Sequence, residues 1–121
     1  MPIDVYRFVH LFSVFLLLMS MGGMVGAALA KQPLDPAVRR LGAISHGVAM
    51  LLLLVAGFGL LAKGGYTAGV PGFAMVKLVI WLVLGAAIVI PTRFPAYARL
   101  LWLAVPLLAL VAAWLGHYRP F

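Results

Sequence analysis

The segment LGAISHGVAMLLLLVAGFGLLA, residues 41–62, decides the fold. None of its 22 positions is Asp, Glu, Lys or Arg. At about 1.5 Å of rise per residue, a helix of this length reaches about 33 Å, enough to cross the roughly 30 Å hydrocarbon core of a bilayer. Lipid offers exposed amides and carbonyls no partner, whereas a helix pairs them internally. The segment therefore reads as a transmembrane helix, bracketed by Arg39 and Arg40 on one side and Lys63 on the other.

Working outward, three more runs have the same character: residues 8–30, 72–91 and 98–116. The expected fold is all-α, a four-helix transmembrane bundle with short loops, forming one membrane domain over 1–121. Composition agrees. Of 121 residues, 66% are hydrophobic and 9% charged, with a mean hydropathy of +1.19, whereas soluble domains are roughly a quarter charged. The first run ends in GAALA before Lys31, which imitates a signal-peptidase site. It is long enough to span, and we read it as a helix. The segments KQPLDPAVRR (31–40), KGGYTAGVPG (63–72) and PTRFPAYAR (91–99) read as turns. Pro106 falls inside the fourth run and should kink it.

Charge sets orientation and excludes one class of partner. The formal net charge is +7. The bases are scattered at span ends without interleaved polar or aromatic readers, which argues against nucleic acid and for lipid contact. Lys31, Arg39, Arg40, Arg93 and Arg99 share one side; Arg7, Lys63 and Arg119 share the other, with Lys77 inside a span. The basic excess places both termini on the non-cytoplasmic side of a bacterial-type inner membrane. There is no Cys, so disulfides, thiolate metal sites and covalent c-type haem are excluded.

Small residues mark candidate packing faces. Gly22, Gly26 and Ala30 recur every four residues, with Gly23 and Ala27 beside them, and Ala112 and Gly116 repeat the spacing in the fourth run. Such faces allow backbones to approach closely, within the bundle or against a partner subunit.

His10, His46, Lys77 and His117 are the ionisable groups at or near membrane depth, where each costs several kcal/mol. Measured from each span's midpoint, His10 lies roughly 13 Å, His117 roughly 16 Å and Lys77 roughly 7 Å toward the side of the termini. His46 lies roughly 8 Å toward the other side. A haem held between two helices needs ligands of similar depth, so His10 with His117, or with Lys77, is the candidate pair for haem b. Each group also has a plain reading. His10 and His117 can anchor at the interface beside Tyr6, Trp114 and Tyr118. Lys77 can snorkel, or hold a buried partner or bound anion. His46 can hydrogen-bond across helices. Paired carboxylates are missing, since Asp4 and Asp35 lie on opposite sides, and no catalytic motif is present.

HLFSVFLLLMSMGG (10–23) resembles the first helix of the CopD-like membrane family, with a His near the start and a later Gly-Gly pair. Met21 stands where CopD-like helices usually carry Trp. RRLGAISHGVAMLLLLVAGFGLLA (39–62) and GFAMVKLVIWLVLGA (72–86) resemble the second and third helices, and His46 is similar in place to a His of SirB-like four-helix proteins. The protoporphyrinogen-oxidase membrane family is more distantly similar. The resemblance implies that His10 and Lys77 contact a haem or copper ion. The favoured function is a structural or accessory subunit of a larger membrane complex, respiratory or otherwise electron-transferring, without cofactor or catalysis. A b-type haem module is the alternative.

Orientation is directly testable because the chain has no Cys background. In Gln32→Cys, a membrane-impermeant maleimide added outside should leave the thiol unlabelled until the membrane is opened. Ready labelling of intact cells contradicts the expected orientation.

Overall fold

A computed structural model describes residues 2–66 and 69–119. The order is α1 (Ile3–Leu29), α2 (Pro36–Lys63), α3 (Gly72–Ala87), a one-turn α4 (Ile90–Arg93), a 3-10 turn (Pro95–Tyr97) and α5 (Ala98–Tyr118). Four helical segments are long and apolar enough to cross a membrane: Ile3–Leu29, Pro36–Lys63, Gly72–Arg93 and Pro95–Tyr118. The described residues contain no strand. Thr67 and Ala68, within the turn expected at 63–72, lie outside the described residues.

The helix ends differ from the apolar runs for local reasons. α1 begins at Ile3, five residues before the run, and its first turn carries the exposed Asp4–Arg7 pair at 3.4 Å. α2 begins inside the expected linker. The Asp35 side chain accepts from the Ala37 amide at 2.8 Å, and Pro36 occupies the first helical position. That cap chemistry starts the helix where polarity alone reads as loop. The third run breaks after Ala87 and resumes at Ile90, because Pro91 has no amide to offer the Ala87 carbonyl. α5 continues through Pro106.

Glycines set the register of α1 on α2. The Tyr6 ring lies where a Cβ at Gly59 would stand, His10 Cε1 is 3.9 Å from that position at Gly57, and Met24 Sδ is 3.3 Å from that at Gly42. Numbers rise on one helix as they fall on the other, so the pair is antiparallel. α3 follows antiparallel to α2: Trp81 Nε1 donates to the Met50 carbonyl at 2.9 Å, and Met50 Cε is 2.8 Å from the Cβ position of Gly85. α5 closes the ring against α1 and α3.

The core is made of Leu17, Met21 and Val25 of α1, Ala49 of α2, Phe73, Ile80 and Leu84 of α3, and Ala98, Leu101 and Val105 of α5. Buried Ser13 and Ser20 bond carbonyls of their own helix, Val9 at 2.7 Å and Leu17 at 2.9 Å, so no hydroxyl is stranded in an apolar interior. The outer surface is equally apolar: Phe8 is 71% and Met19 77% exposed. Residues this hydrophobic turned outward suit lipid rather than water.

Gly59→Leu should cost about 1–3 kcal/mol, because it places a side chain where the Tyr6 ring sits. Unfolding in mixed micelles measures the loss; unchanged stability contradicts the notch.

Candidate functional site

The topology gathers the polar groups at two levels. On the termini side, the N-terminal turns of α1 and α3 meet the C-terminal turns of α2 and α5. The other half holds His46.

His46 is buried, and its Nε2 lies 3.2 Å from the Leu84 carbonyl of α3. That carbonyl belongs to the last turn of α3, where a helix supplies no amide of its own. With Nε2 protonated, His46 donates to it and repairs the break before Pro91 from a neighbouring helix, as apolar surroundings require. The His46 and Trp81 contacts together fasten α2 to α3 at 3.2 and 2.9 Å. A cross-helix hydrogen bond, the plain reading of His46, fits this contact. Trp81 was not singled out in the sequence.

His10 is half-buried beside Gly57, and its Nδ1 is shielded from solvent with no hydrogen-bond partner among the described residues. The Lys77 Nζ rests 2.9 Å from the Cβ position of Gly116, so the small residue on α5 receives a lysine rather than a helix backbone. His117 is exposed, and its ring stands edge-on to Tyr118 with centroids 4.7 Å apart. No hydrogen bond or ring contact joins His117 to His10 among the described residues. As ligands for haem b, the residues divide. His10 offers a sheltered, unpaired nitrogen of the kind an axial position uses. Lys77 rests at Gly116 of α5, and His117 faces outward.

Arg119 completes this level and was read from sequence only as an orientation charge. It takes a left-handed backbone, φ 49° and ψ 59°, a conformation that is uncommon outside glycine. Its side chain then folds back. Nε donates to the Gly116 carbonyl at 3.2 Å, Nη1 to the Tyr66 hydroxyl at 3.5 Å. The guanidinium lies 5.4 Å from the centroids of both the Tyr66 and Phe73 rings, within range for cation–π attraction. The contact spans 53 residues of sequence.

The packing glycines also sort differently. Gly22, Gly23 and Gly26 have no atom within 4 Å of a Cβ position, so their face is not used for close packing inside the chain. Ala112 packs against the core. Beside Gly22 an apolar groove opens between α1 and α5, lined by Leu18, Met21, Trp102 and Pro106 among others.

No protein-family model, curated protein or solved structure matches the chain.

His46→Leu should remove the bond to Leu84 and lower stability by about 1 kcal/mol in micelles. Any visible absorption of the purified protein should be unchanged. A lost chromophore with intact stability would give His46 a ligand's role instead.

Proposed function

We propose that the chain is an accessory subunit of a larger membrane complex, of the respiratory or other electron-transfer class, in a bacterial-type inner membrane. The observation that carries this reading is the outward Gly22, Gly23 and Gly26 face of α1, open at every Cβ position and continued by the apolar groove toward Trp102 and Pro106. Lipid and helix are equally apolar, so burial gives helices little drive to associate; close backbone approach over small residues does. The electron-transfer class rests on the CopD-like and SirB-like resemblance of the first three helices.

A second reading keeps its own observation. The unpaired, sheltered Nδ1 of His10 suits a b-type haem, with Lys77 of the same half of the bundle as the candidate second ligand. Such a group would supply one-electron transfer, while the chain would position and shield it.

Gly22→Leu with Gly26→Leu should convert a large native-gel assembly into the free chain, with helix content intact by circular dichroism. Wild-type chain migrating alone, or a double variant still in the assembly, contradicts the subunit reading. For the second reading, protein from haem-replete membranes should show a Soret band that His10→Ala abolishes. A spectrum without that band removes it.

A further inference from the structure

Among the described residues, neither Lys77 nor Arg119 at the termini end has a carboxylate partner. The chain contains two acidic residues. Asp4 pairs with Arg7 on α1, and Asp35 caps α2 at the opposite end of the bundle. Yet the fold brings two basic side chains to one residue of α5. Lys77 Nζ is 2.9 Å from the Cβ position of Gly116, and Arg119 Nε is 3.2 Å from the Gly116 carbonyl. Bond geometry across one residue keeps the charges within roughly 10 Å of each other, about one Debye length at 0.1 M salt. Among the described residues the Lys77 ammonium has no hydrogen bond.

Lys77 is only partly open to solvent, and Arg119 is exposed but tied down. Lys77 is half-buried, one turn inside α3, and a helical side chain leans toward its helix's N-terminus, here the membrane rim. Arg119 is held back over Tyr66 and Phe73 by a left-handed backbone that favours glycine. The first turn of α3 at this rim carries no acid. Two converging cations repel each other unless an anion stands between them. Three ammonium donors and a planar guanidinium fork match the oxygens of a phosphate.

We propose that Lys77 and Arg119 bind a phosphate-class oxyanion at the rim between α3 and α5, with Gly116 as the space that admits the lysine. In a bilayer the natural carrier is the headgroup of an anionic lipid; the other source is soluble phosphate. The site does not rest on the subunit reading, and it shares Lys77 with the haem reading.

The test is native mass spectrometry of the whole chain released from micelles containing phosphatidylglycerol or phosphatidylcholine. Wild type should retain phosphatidylglycerol preferentially. Lys77→Gln and Arg119→Gln should each lower that retention about fivefold, the factor for one basic group at an anionic surface. Arg99→Gln, at the opposite rim, should leave it unchanged and so separates a site from general attraction. Circular dichroism confirms that each variant is folded. Retention unaffected by excess inorganic phosphate assigns the anion to the lipid; competition assigns it to soluble phosphate. The proposal is overturned if wild type binds neither, if both rim variants bind as wild type does, or if Arg99→Gln loses as much as they do.

Discussion

The seating of α1 side chains in the glycine notches of α2 is the contact on which the other placements depend. Tyr6 fills the notch at Gly59, His10 faces Gly57 and Met24 faces Gly42. In lipid, sliding one apolar helix along another exposes nothing to water, so the hydrophobic effect cannot fix register. Shape has to fix it. Three notches along one helix pair admit one antiparallel alignment, and a slip by a single turn would drive a ring or thioether into a backbone that carries a side chain.

From that alignment the rest follows by hydrogen bonds rather than by burial. α3 is tied to α2 by Trp81 and by His46, and His46 also answers a carbonyl at the break that Pro91 imposes. Each helix reverses the direction of the last. The start of α1, the end of α2, the start of α3 and the end of α5 therefore share one rim. Tyr66, Lys77 and Arg119 meet there, although they are far apart in sequence. The cationic rim and the outward glycine face of α1 are both consequences of the same ring of helices.

The four spans were legible because runs of about 20 apolar residues have one backbone solution in lipid. That Lys77 and the end of α5 share one half of the bundle was legible too, since rise per residue is constant. Helix ends were less so: Asp35 and Pro36 look like loop until their capping geometry is considered. The direction of the glycine face could not be read, because an inward and an outward helix face are equally apolar here and periodicity marks neither. Gly22, Gly23 and Gly26 carry the conspicuous spacing, yet Gly42, Gly57 and Gly59 receive the neighbouring side chains. Arg119 was hidden for another reason. Its role depends on one left-handed backbone residue and a partner 53 positions away.

Disulfide trapping in a chain without native Cys tests the α1–α2 register most directly. Met24→Cys with Gly42→Cys should close an intramolecular bond on mild oxidation in the membrane. Met24→Cys with Ile44→Cys should not, because Ile44 is 56% exposed and turned away from the notch. Equal closure of both pairs, or closure of the second alone, would contradict the register on which this account of the fold rests.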